Sequence, residues 1–167
     1  MITKNFSPTA ELGGRFHASE NKPSARILVV DHDADICRLN TELLLDAGYE
    51  VSHAEDGAGA WDELQCNAYD LLVTDHHMRK LCGVSLLKKL HIAGMAIPVI
   101  LVTGEPPTSE LSRHPWLQIE AILLKPYAAD ELLAVVSNVL RAIDNATGQF
   151  VPPPALLVAP GSNRLSF

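Results

Sequence analysis

Four apolar runs in this chain stop abruptly on residues that can do chemistry. Ile27-Leu28-Val29-Val30 runs into Asp31-His32-Asp33, and Leu71-Leu72-Val73-Thr74 into Asp75-His76-His77. Val99-Ile100-Leu101-Val102 ends on Thr103, and Ile122-Leu123-Leu124 on Lys125-Pro126. Two carboxylates brought together repel unless a cation lies between them, and oxygen ligands of this kind suit Mg²⁺. A lysine and a hydroxyl alongside are the donors that the oxygens of a transferred phosphoryl group require. A carboxylate in such surroundings can accept that group as a mixed anhydride, and Asp75 is the candidate for it. Each residue also has an ordinary reading. Asp75 can cap the following helix, Thr103 can be a plain strand end and Lys125 a surface lysine. His76 and His77 read as exposed loop histidines, because consecutive residues leaving a strand point different ways and do not share one ion.

The elements that must position these residues follow from periodicity. Each run is too short for a typical helix and reads as a buried parallel strand, whose carboxyl end is where open α/β sheets place their ligands. After the first strand, Ile36, Leu39, Leu43, Leu44 and Ala47 recur at helical spacing up to Gly48. Tyr49 and Val51 form a second strand, and Asp56-Gly57 turns into a helix carrying Ala60, Trp61 and Leu64. Val84 to His91 make a third helix ending near Gly94. Pro106, Pro107 and Pro115 leave room only for a short helical piece from Thr108 to Arg113. Asp130 to Ile143 supplies a last amphipathic helix. Five strand–helix repeats predict an α/β protein, a flavodoxin-like (βα)5 three-layer sandwich with parallel sheet order 2-1-3-4-5.

This accounts for one domain, residues 26–145. Residues 1–25 read as a flexible arm, and residues 146–167, with Pro152-Pro153-Pro154, as a Pro-rich flexible tail. A hydrophobic content of 47% in 167 residues is enough for one core. A net charge of −7 without a basic run argues against nucleic acid as a direct partner. No apolar stretch is long enough to span a bilayer, so a cytoplasmic location without membrane insertion is expected. Cys37, Cys66 and Cys82 suit a reducing compartment as buried or half-buried thiols, and Trp61 and Trp116 read as packing residues.

Taken together, the motifs resemble the receiver domain of bacterial two-component response regulators, over roughly Arg26 to Asn145. The resemblance implies that Asp75 is the phosphoacceptor, that Thr103 is the hydroxyl that reorients toward the phosphoryl group, and that Lys125 is the lysine before a usually cis proline. It implies a Mg²⁺ site made by Asp31, His32, Asp75 and the main-chain carbonyl of His77. A sensor histidine kinase or histidine phosphotransfer protein would donate the phosphoryl group, within a phosphorelay. His77 and Glu105 stand where the family tunes phosphoryl lifetime.

The chain also departs from the pattern. His32 replaces the carboxylate that usually touches the metal, which predicts weaker Mg²⁺ binding, with Mn²⁺, Zn²⁺ or another divalent ion as an alternative. Asp33 is a candidate to swing in. Arg79 replaces a proline, Cys82 an acid, and Ile122 the aromatic residue that rotates with the switch. The expected function is a stand-alone receiver, not an enzyme beyond its own phosphorylation and dephosphorylation, signalling by protein contacts to an output partner that the sequence does not identify. The alternative is a receiver-like interaction module that no longer switches. A phosphohydrolase with an Asp nucleophile is disfavoured because His77 stands where its second Asp belongs.

Overall fold

The computed structural model describes residues 24–147. Its elements alternate as the periodicity predicts: β1 (Arg26–Val30), α1 (Ala34–Asp46), β2 (Glu50–Ala54), α2 (Gly57–Cys66), β3 (Leu71–Asp75), α3 (Gly83–Ile92), β4 (Val99–Thr103), α4 (Thr108–Arg113), β5 (Ala121–Leu124) and α5 (Ala129–Thr147). The sheet is parallel throughout, in the order β2-β1-β3-β4-β5. The chain therefore reverses its direction of travel across the sheet between β1 and β3, and a crevice opens at their carboxyl ends.

Alternate residues of the central strands feed two cores. Ile27, Val29, Leu71, Val73, Ile100 and Val102 pack with Cys37 and Leu44 of α1 and with Leu132 and Val136 of α5. Leu28, Val30, Leu72 and Val99 pack on the other face with Ala60 and Leu64 of α2 and Leu86, Leu87 and Leu90 of α3. Burial on both faces is why these strands read as continuous apolar runs. Two helices begin on aspartates: the Asp33 carboxylate accepts from the amides of Asp35 and Ile36, and that of Asp56 from Ala58 and Gly59. Gly48, at φ +91°, follows the end of α1, and Gly94, at φ +68°, that of α3, in the left-handed conformation that glycine adopts without strain.

Some expectations are corrected. Cys66 is exposed rather than buried, because it closes α2 on the outer side of the last turn. Trp116 packs at the surface: it is 39% exposed, with its ring 4.4 Å from that of His91 and 5.3 Å from that of His114. Trp61 does pack against the second core, with the Lys89 ammonium 4.2 Å over its ring. Helix α5 runs four residues past the amphipathic stretch seen in the sequence, to Thr147. The arm, residues 1–25, falls outside the described residues except for its last two, and the tail, residues 146–167, except for its first two.

One glycine bears directly on the site. A Cβ on Gly83, at the start of α3, would sit 2.6 Å from the Asp75 carbonyl oxygen and 3.1 Å from His76 Cα. Backbone on both sides leaves no flexible atom to give way. Gly83→Ala is expected to lower stability by about 1–3 kcal/mol, as overpacking does. Urea titration should show a reduced midpoint with an unchanged slope.

Candidate functional site

Asp31, directly behind β1, and Asp75, the last residue of β3, are carried to the same crevice because β1 and β3 are hydrogen-bonded neighbours. Both carboxylates are buried, at 3% and 2% exposure. Asp75 is not a helix cap: α3 begins eight residues later and is preceded by Cys82. That removes the ordinary reading of this residue.

Two donors face the pair. Lys125 follows β5 and is half-buried. Its Nζ donates to Asp31 Oδ2 at 2.9 Å and lies 3.4 Å from Asp75 Oδ1. Burial alone would depress the Lys125 pKa, but the hydrogen bond and charge of Asp31, reinforced by Asp75, outweigh it and raise the pKa above the lysine norm. His32, exposed in the loop after β1, places Nδ1 2.8 Å from Asp75 Oδ2 and 3.7 Å from Asp31 Oδ1. With Asp75 ionised its carboxylate only accepts, and His32 Nδ1 then carries the hydrogen of this bond.

The other expected residues are placed differently. Thr103 ends β4 and is buried, but its hydroxyl donates to the Glu105 carbonyl at 2.8 Å, within its own loop. Gly104 beside it has open space where a side chain would be. His77 is exposed, its ring edge-on to His76 at 4.6 Å. His76 corrects the exposed-loop expectation: its Nδ1 is buried and without a hydrogen-bond partner, and burial lowers its pKa, helped by the neighbouring His77. Asp33 does not reach the crevice, because its carboxylate caps α1. Lys125 precedes a cis peptide bond to Pro126, and its amide donates to the Thr103 carbonyl.

Asp31, His32 and Asp75 offer ligand atoms within 4.8 Å of one another. For Mg²⁺ the fit is poor. The ion takes oxygen, and here one of three donors is an imidazole nitrogen whose hydrogen points at Asp75, leaving that atom without a free lone pair. A softer divalent ion would tolerate the nitrogen but would still have to displace the hydrogen bond.

A family model described as the response regulator receiver domain matches residues 27–137. The chain belongs to this family. Receiver domains accept a phosphoryl group on an aspartate in two-component signalling, interact with histidine kinases or phosphotransfer proteins, and typically bind Mg²⁺ at an acidic pocket. The transcriptional regulatory protein DltR of Streptococcus agalactiae serotype III is 35% identical over 123 residues, covering 70% of this chain and 55% of that protein. Response regulator RppA of Synechocystis sp. is 34% identical over 151 residues, covering 84% of this chain and 61% of RppA. The chain thus spans a little over half the length of these relatives. Among solved structures, the receiver domain of the Francisella response regulator 1452 superposes with a TM-score of 0.65 at 28% identity, covering 72% of this chain and 99% of that one. Chemotaxis protein CheY4 of Vibrio cholerae superposes with a TM-score of 0.65 at 26% identity, covering 70% and 99%. Among the described residues of this receiver, no helix is long and apolar enough to cross a membrane.

A contact under this receiver's pocket is not marked by sequence pattern. Asn40, buried on α1, donates its amide to the Tyr127 hydroxyl at 2.8 Å and so ties α1 to the segment just after Lys125-Pro126. Burial raises the Tyr127 pKa above 10.0. The Asn40 hydrogen bond and the Lys125 charge oppose this shift, while Asp31 and Asp75 add to it. The stabilisation is therefore complete below the unfolded pKa and is lost as pH rises through the higher folded one. Tyr127→Phe leaves the Asn40 amide unpaired and is expected to lower stability at neutral pH by about 1–3 kcal/mol. The same variant should lose less stability at alkaline pH than the parent, read from urea midpoints across that range.

Proposed function

We propose that this receiver takes a phosphoryl group on Asp75 from a histidine kinase or histidine phosphotransfer protein, and that its output is a change in protein contacts. The observation that carries the reading is the Asp75 carboxylate itself. It is buried, capped by nothing local, and faced by an ammonium 3.4 Å away. Asp75 Oδ1 is the nucleophile. Lys125 stands beside it to meet the charge of the incoming phosphoryl oxygens, and Asp31 holds Lys125 in position. Thr103 is the hydroxyl that exchanges the Glu105 carbonyl for a phosphoryl oxygen, and open space at Gly104 gives the loop room to follow. If a divalent ion enters, Asp31, Asp75 and the His77 carbonyl supply its oxygens, and His32 makes that binding weak. No step here depends on the ion.

A second reading, a receiver-like module that no longer switches, draws support from the His32 bond that already occupies Asp75 and from Ile122, an exposed aliphatic residue where the aromatic switch residue is expected. Phosphoramidate labelling followed by intact mass and peptide mapping separates the two. The expected outcome is one added phosphoryl group on Asp75, absent from Asp75→Asn. Lys125→Met should lower the labelling rate by about a hundredfold, the size of effect seen when one preorganised donor is removed. Absence of any modification at Asp75 would favour the non-switching module.

A further inference from the structure

The two oxygens of Asp75 are treated unequally, and the inequality has a use. Oδ2 accepts a hydrogen bond from His32 Nδ1 at 2.8 Å, while Oδ1 stands 3.4 Å from Lys125 Nζ, near the outer limit of bonding. A buried carboxylate pair needs positive partners to remain ionised, and in an all-acid pocket a divalent ion supplies them. Here the Lys125 ammonium and the His32 N–H already face both acids. The nitrogen that replaces the usual ligand points its hydrogen at the very oxygen on which an ion would sit. We infer that His32 stands in for the divalent ion, fixing Asp75 Oδ2 by hydrogen bond so that Oδ1 accepts a phosphoryl group without bound metal.

This inference rests on the proposal that Asp75 is the phosphoacceptor, and it names what activates that residue. In the step, an Oδ1 lone pair forms the new O–P bond as the donor's P–N bond breaks. The P–N electron pair leaves on the donor nitrogen, which is already protonated, so the nitrogen of phosphoramidate departs as ammonia and its phosphoryl group stays on Asp75. His32 keeps its hydrogen throughout. The phosphoryl charge is met by Lys125, and the Asp75 rotamer is held by the Oδ2 bond rather than by a coordination sphere. His32 touches the reacting carboxylate but accepts no proton and forms no covalent bond.

The experiment is phosphoramidate labelling of the full chain in EDTA and in Mg²⁺, read by intact mass, with Mg²⁺ titration calorimetry of the same samples. Three proteins are compared: the parent, His32→Ala and His32→Asp. The side chain of His32 is 42% exposed in a loop, so unfolding midpoints should stay close and serve as the check on folding. The parent should label in EDTA within about threefold of its rate in Mg²⁺ and give no heat of Mg²⁺ binding. In EDTA, His32→Ala should be slower by about a hundredfold, the size of effect expected when one preorganised donor is lost. His32→Asp should label slowly in EDTA, recover in Mg²⁺ and show the missing heat.

Labelling of the parent that requires Mg²⁺ would overturn the inference and leave Asp75 as a phosphoacceptor. So would His32→Ala labelling as fast as the parent in EDTA. A parent inert in both conditions while His32→Asp labels with Mg²⁺ would show that His32 blocks the site, which also refutes the inference. Failure of all three proteins in both conditions would instead remove the phosphoacceptor reading and this inference with it.

Discussion

Two carboxylates lie against one another at the point where the sheet changes direction, and the rest of the site exists to make that tolerable. Asp31 and Asp75 are both withdrawn from water, so neither is accommodated there at low cost unless a positive group or a hydrogen-bond donor faces it. Lys125 answers Asp31 directly and Asp75 at longer range, and His32 answers Asp75. Every other part of the fold can be understood as delivery. The parallel strand order places β1 beside β3, β4 next to β3 and β5 outside β4, so that four strand ends open on one side of the sheet. The close approach of Gly83 to the Asp75 carbonyl then pins the backbone under the Asp75 side chain.

Much of this was legible in the amino-acid order because buried parallel strands leave a plain signature. Runs such as Leu71 to Thr74 are apolar on both faces, and the first polar residue after them marks the crevice. Glycine at positions 48 and 94 and the proline pair at 106–107 punctuated the helices in the right places, which is why even the six-residue α4 was predicted with its observed limits. What stayed hidden depends on contacts between distant residues or on the direction of one side chain. Nothing local distinguishes Asp33, which caps α1, from an acid that reaches the crevice, until the helix start is fixed. The Asn40–Tyr127 bond joins residues 87 apart and leaves no periodic trace. Cys66 departs from the expectation because cysteine is usually buried, and at a helix terminus that tendency is overridden. His76 was missed for the opposite reason, since a loop histidine is ordinarily wet.

The comparison with the family pattern locates the unusual chemistry in one residue. In the pattern that the resemblance implies, Asp31, Asp75, Thr103 and Lys125 match by residue type, whereas position 32 has a nitrogen donor in place of an oxygen acceptor. The change reverses the sense of the interaction at Asp75: a carboxylate there would repel Asp75 and need an ion between them, whereas the imidazole N–H attracts it directly. Thr103 and Ile122 extend the contrast to the far side of the sheet. The threonine hydroxyl is satisfied within its loop, and the exposed isoleucine offers no ring to swing inward.

The bond from Lys125 to Asp31 spans 94 positions of the chain. A contact of that separation carries a loop-closure entropy cost that the docking of the intervening strands has to offset. The pocket has no local precursor: the first strand leads to Asp31 and the third ends on Asp75, and Lys125 comes only after the fifth. Without β5 and the residue that follows it, the chain carries Asp31 and Asp75 but not the ammonium that faces them both. The length of that one ion pair makes the site a report on the integrity of the whole domain.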